Sequence, residues 1–162
     1  MIGQDMPNMG ANEALRVKGF YRVQVDEGGE IVGDSGWKQN LVVNDGFNDF
    51  LAKLLGAISG SKQISHAALG TGGAPAASDT TLAGEVVKRA AVTAATSSNS
   101  KAVQFTATFS SANSFVTNTQ NISNIGLFNS SSGGGLFAGN TFASSSVATN
   151  QNVNITYTIN FA

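Results

Sequence analysis

From Ala102 to its last residue, Ala162, the chain contains no Asp, Glu, Lys, Arg or His. All nine basic and all ten acidic side chains lie at or before Lys101. General acid–base, nucleophilic and metal chemistry draws mostly on those residue types. This third of the protein is therefore expected to fold or to be touched, and not to react. Cysteine is absent, which excludes disulfides and thiolate metal sites and leaves the redox compartment open. Charged residues make up 12% of the chain, about half the usual ~25%. A net charge of −1 predicts neither nucleic-acid steering nor attraction to an anionic membrane. No apolar run approaches the ~20 residues that span a bilayer. The opening Met1-Ile-Gly-Gln-Asp-Met-Pro has no basic stretch leading into an apolar one. No secretory signal is read there, and synthesis in a cytoplasm is expected.

What is present is a strand-forming pattern. A chain of 162 residues with 41% apolar content can bury about 68–70% of its unfolded surface. One β-rich domain over 14–162 is expected, preceded by a polar arm over 1–13 that orders only if something holds it. Apolar residues at 15, 17, 21, 23 and 25 alternate as in a half-buried strand. The turn Asp26-Glu27-Gly28-Gly29 starts a return strand at 30–33. Its acidic cluster matches no calcium-loop spacing and reads as a solvated turn. Another strand is expected over 37–43. Asn44-Asp45-Gly46 then offers an N-cap to an α-helix over about 45–55, with Phe47, Phe50, Leu51, Leu54 and Leu55 as its apolar stripe and Gly56 as its terminator. That stripe is read as packing on a sheet, with a partner-binding helix as the sharper alternative. Further strands are expected at 64–69, at 86–96 after a single helical turn (80–85) capped by Asp79, and at 103–109. A hairpin is expected from 122–128 and 136–142 across the 129–135 loop. The clearest alternation is the last: Val153, Ile155, Tyr157, Ile159 and Phe161 against Asn154, Thr156, Thr158 and Asn160. The fold class is mainly β, an antiparallel β-sandwich with one short α-helix and an extended N-terminal arm.

Chemistry-bearing constellations are scarce. His66, the one histidine, shares a strand face with Ile64 and Ala68 and reads as structural; nothing local supplies metal partners. Gly70-Thr-Gly-Gly and Gly56-Ala-Ile-Ser-Gly-Ser-Lys62 both lack the Gly-Lys-Ser/Thr ending of a phosphate loop. Asp45, Asp49, Asp79 and Glu85 are the available carboxylates for a glycosidase-like pair, but two of them sit where helix caps are expected. Asn-x-Ser/Thr triplets at Asn121, Asn129 and Asn154 arise by chance in so Asn- and Ser-rich a tail. No catalytic residue, cofactor ligand or metal ligand is assigned, and the chain is read as no enzyme.

Four segments in order resemble bacteriophage virion proteins. Asn40-Leu-Val-Val-Asn-Asp-Gly-Phe-Asn-Asp-Phe-Leu is similar to their Asn-hydrophobic-x-x-Asn-x-Gly entry into a helix. Ala68-Leu-Gly-Thr-Gly-Gly-Ala-Pro-Ala-Ala-Ser-Asp-Thr-Thr-Leu-Ala-Gly-Glu resembles their Gly-x-Gly … Pro-x-x-x-Asp-x-x-Leu-x-x-Glu stretch. Asn124-Ile-Gly-Leu-Phe-Asn with Gly135-Leu-Phe-Ala and Thr141-Phe looks like their hairpin, and Asn154-Ile-Thr-Tyr-Thr-Ile-Asn-Phe like their closing strand. Such modules occur in capsid cement (decoration) proteins and in tail, baseplate and fibre components. The short chain points to a small accessory protein. The resemblance implies a structural protein on the capsid surface of a virion, bound to the major capsid protein and to itself as a homotrimer, with no nucleic acid, membrane or cofactor. A tail or baseplate adaptor and a carbohydrate-binding module are the alternatives. The arm over 1–13 is then a candidate to order against a capsid subunit or an adjacent protomer.

Overall fold

The computed structural model describes residues 16–162, so the expected arm lies outside the described residues. The fold is mainly β. Its strands are β1 (Val17–Glu27), β2 (Glu30–Asp34), β3 (Lys38–Gln39), β4 (Leu41–Val42), β5 (His66–Gly70), β6 (Ala90–Ala91), β7 (Thr93–Ala95), β8 (Ala102–Phe109), β9 (Gln120–Phe128), β10 (Leu136–Val147) and β11 (Asn152–Phe161). They form two antiparallel sheets. Sheet A runs β2-β1-β11-β8-β7, with β3 also paired to β1, and sheet B runs β4-β10-β9-β5-β6.

Period-2 alternation builds the space between the sheets. Tyr21, Val23 and Val25 of β1, Phe105, Ala107 and Phe109 of β8, and Val153, Ile155, Tyr157 and Ile159 of β11 face inward and are buried. They meet Leu69, Ile122, Ile125, Leu127, Phe137 and Phe142 from sheet B. Tyr21 stacks on Tyr157 with ring centroids 5.7 Å apart, and Phe142 meets Tyr21 edge-on at 6.4 Å. Both phenols find partners across the sandwich. Tyr21 donates to the Thr141 carbonyl at 2.5 Å, and the Asn40 side-chain amide donates to the Tyr157 hydroxyl.

Two expected strands switch sheets instead of staying in one. The 37–43 segment pairs with β1 through β3, turns at Asn40, and pairs with β10 through β4. The 86–96 segment pairs with β5 through β6 and, beyond Val92, with β8 through β7. Each crossing joins the edge of one sheet to the facing edge of the other, which covers strand edges otherwise open to pairing with another chain. The imperfect alternation of 86–96 is the trace of that change of sheet.

The helical segment lies where expected but winds differently. Gly46–Ala52 is π-helical and runs into one α-turn, Lys53–Leu55. An i→i+5 turn holds more residues than an α-turn, so the i, i+3, i+4 stripe no longer falls on one face. Phe50 is buried and Leu51 partly so, whereas Phe47, Leu54 and Leu55 are exposed. No side-chain cap bond forms at Asp45; its carboxylate lies 3.8 Å from the Lys62 ammonium. Gly56 does not close the segment in a left-handed conformation; Ala57 adopts φ +50° instead. The expected turn at 80–85 is not helical, and Asp79 accepts from the Ala76 N–H at 2.8 Å to close a short loop.

Burial raises both phenols. Tyr21 is pushed up from 10.0 to about 12. Tyr157 is held well above 10.0 by burial, with the Asn40 hydrogen bond partly opposing. They are the chain's two tyrosines, so tyrosinate absorbance reports this contact alone. A raised acid pKa means the fold retains protons that the unfolded chain releases, so stability is level up to the unfolded value near 10 and falls as pH rises toward about 12. An alkaline titration should show tyrosinate appearing together with loss of the β-sheet signal. A phenol that ionises near its ordinary value while the sheets stay intact would contradict this packing.

Candidate interaction surface

The two sheets treat their outer faces in opposite ways. The outer face of sheet B is roofed by the 71–89 segment. Val43, Ala68, Leu82, Phe128 and Leu136 make a second buried cluster there. Ala68, Gly126 and Gly139 lie in one cross-strand row. Pro75 and Leu82 come down over it: a Cβ on Gly139 would sit 3.1 Å from Pro75 Cγ, and one on Gly126 would sit 3.5 Å from Leu82 Cδ1. Asn124, buried in the middle of β9, donates from its Nδ2 to the carbonyls of Gly73 (3.1 Å) and Ala83 (2.8 Å), tying both limbs of the roof to the sheet. The glycine run at 70–73 serves this close approach. A Cβ on Gly70 would lie 2.4 Å from Asn124 Oδ1, and one on Gly72 would lie 2.5 Å from the Ala83 carbonyl.

Arg89 locks the far end of the roof, a role the sequence reading did not anticipate. Its side chain is 5% exposed. The guanidinium lies over the Phe128 ring at 3.6 Å, pairs with Glu85 at 2.6 and 3.0 Å, and donates to the carbonyls of Ser130 and Gly133 at 2.8 and 2.7 Å. A planar five-donor fork satisfies all of these at once; an ammonium does not. Asp45, Asp49 and Asp79, the other candidate carboxylates, are likewise committed. Asp49 bonds Lys53 at 2.7 Å and Lys62 at 3.0 Å, and these hydrogen bonds hold its carboxyl below the usual range. His66 sits opposite Phe128 in register, with its Nδ1 2.8 Å from Ser65 Oγ. Among the described residues no three His, Cys, Asp or Glu side chains gather to hold a metal ion.

Among the described residues sheet A has no roof. Its outer face is ruled by cross-strand rows: Phe20–Thr158–Gln104–Ala95, Arg22–Thr156–Thr106–Thr93 and Gln24–Asn154–Thr108. On this face charge stays on β1 and β2, as Lys18, Asp26 and the Arg22–Asp34 pair at 2.5 Å. The interior of the face is hydroxyl and amide. A shallow depression of about 320 Å³ lies among Thr93, Thr106, Thr108 and Thr156. Several tail amides are already spoken for: Asn152 and Asn154 donate to the buried carboxylate of Asp26 at 3.0 and 2.6 Å, and Thr108 donates to Asn154 at 2.8 Å. Gln104, Thr106 and Thr93 remain exposed, with Thr156 and Thr158 half-buried between them. This neutral patch is the candidate interaction surface.

The Arg89 lock sets an energetic expectation. Arg89→Lys keeps the charge but loses the fork, and should destabilise the protein by about 1.5–3 kcal/mol, the range for hydrogen bonds to charged groups. Arg22→Lys, at a solvent-exposed pair, should cost about 0–1 kcal/mol. Denaturant unfolding compares the two. Limited proteolysis should show new cleavage within 129–135 only in the Arg89 variant. Equal, small effects would mean that the roof is held by other contacts.

Comparison of the chain with protein-family models, with curated proteins and with solved structures gives no significant match.

Proposed function

We propose that this chain is a non-enzymatic structural protein of a bacteriophage particle. It binds the exterior of the assembled capsid, as a homotrimer, and stabilises the shell by bridging capsid subunits. The observation that carries the reading is the neutral face of sheet A, with Thr106 and Thr156 at its centre and the charged Arg22–Asp34 pair kept to one edge. Around a symmetry axis a side chain meets copies of itself, so a charge there meets like charge. A hydroxyl or amide both donates and accepts, and is satisfied by its own copy. The segments that resemble virion proteins support the reading, and they supply joints of this fold. Asn40 binds Tyr157, Asn124 binds the Gly73 and Ala83 carbonyls, and Gly126 receives the roof. A protein that binds only the assembled shell stabilises it by mass action.

The test compares binding to assembled shells with binding to unassembled capsid protein, for the natural chain and for Thr106→Lys. Thr106 is exposed, so the substitution should change unfolding free energy by no more than about 0.5 kcal/mol. It should weaken shell binding roughly tenfold or more, because it places like charges opposite one another. Binding by the natural chain should respond little to added salt, since neutral contacts are not screened. Unchanged binding by the variant, or equal binding to unassembled subunits, would refute the reading.

A further inference from the structure

The two ends of the sandwich are closed unequally. Where β11 begins, Phe115 and Val116 of the 110–119 connection are buried, and Phe115 packs on Phe109 with ring centroids 5.4 Å apart. At the opposite end Phe50 reaches in against Phe137, with centroids at 5.3 Å. Beside it a half-open groove of about 310 Å³ remains, walled by Leu51, Leu54, Val103, Phe105, Ile159 and Phe161. Protein interiors are close-packed, and mostly apolar walls give ordered water few partners. The groove is a gap in the core that the described residues leave unfilled.

The chain enters the fold at this end. Arg16 and Ala162 exchange backbone hydrogen bonds of 2.6 and 2.8 Å, and Val17 lies opposite Phe161, a wall of the groove. Arg16, to which residues 1–15 are joined, therefore lies at its mouth. An extended chain of that length spans roughly 50 Å, ample to cover the groove. Its composition suits the purpose. All three methionines of the protein, Met1, Met6 and Met9, lie in it, with Ile2 and Leu15, and Leu15 continues the alternation that puts Val17 against the core. Methionine fills irregular apolar gaps and makes favourable sulfur–aromatic contacts, and Phe50, Phe105, Phe137 and Phe161 all line the groove.

We propose that the 1–15 segment fills the apolar groove of its own chain, with Met6 or Met9 set among the groove phenyl rings. The tether raises the local concentration of the segment to about the millimolar range, which favours its own groove over that of a neighbour. The inference stands apart from the virion reading, since groove and segment meet whether or not the protein joins a particle.

Methyl-13C methionine labelling of the full chain reports on this segment alone, because no other methionine exists. The Met6 or Met9 methyl should be shifted upfield by the rings and show nuclear Overhauser contacts to phenylalanine ring protons, unchanged on dilution. Leu54→Lys, at the exposed groove rim, should move that methyl back toward its free-peptide position while leaving the β-sheet amide signals in place. Three methyls at free-peptide positions without ring contacts would overturn the proposal. So would ring contacts that appear only between differently labelled copies, which would place the segment on a neighbour.

Discussion

Sheet B turns no face to water where β5, the second half of β9 and the start of β10 cross it, and that constraint orders much of the chain. An ionised side chain taken into such a layer needs a partner with full hydrogen bonding, or its desolvation outweighs what it gains. The layer accordingly carries no charge of its own, and its one fully buried polar side chain is Asn124. Asn124 serves because its Nδ2 has two hydrogens to give and the roof offers two carbonyls. Arg89 enters from the roof and is matched by Glu85, two carbonyls and a ring face. Small residues under Pro75 and Leu82 follow from the same demand, because a roof without regular structure must come close to seal.

The charge-free region beyond Lys101 thus has two causes. From Asn124 to Phe128 in β9 and at the start of β10, burial on both faces forbids charge. In β8 and β11, only the inner face is buried, and the outer rows of Thr, Gln and Asn are free of that restriction. Their neutrality is the feature that invites a functional account. Strands that change sheet cover part of the sheet edges, which limits pairing through backbone edges and favours side-chain surfaces as the means of association. The neutral outer face of sheet A is where such association is proposed.

Much of the fold was legible in the sequence. Alternation marked β1, β8 and β11, and the Ser/Gly loop at 129–135 marked the hairpin of β9 and β10, because those strands each keep to one sheet. The segments that misled were those whose local pattern answers to two environments. Val92 is where 86–96 passes from one sheet to the other, so neither face of that segment holds a consistent polarity. The stripe from Phe47 to Leu55 has α-helical spacing, yet the π-turn splits it between core and solvent. Arg89 was invisible as a lock because its partners, at 85, 128, 130 and 133, come together only when the roof folds back on β9. The surface was legible as composition and not as position: the tail's neutrality was plain, but not that Asn152 and Asn154 are consumed by Asp26 while Thr106 stays exposed.

The central claim, that this protein docks on the exterior of an assembled capsid, is tested most directly by its copy number in purified particles. Quantitative gel densitometry against the major capsid band gives that number. The account predicts copies on the order of hundreds, in fixed ratio to the capsid subunit as shell symmetry requires. A handful to a few dozen copies would place the protein at the tail and contradict it.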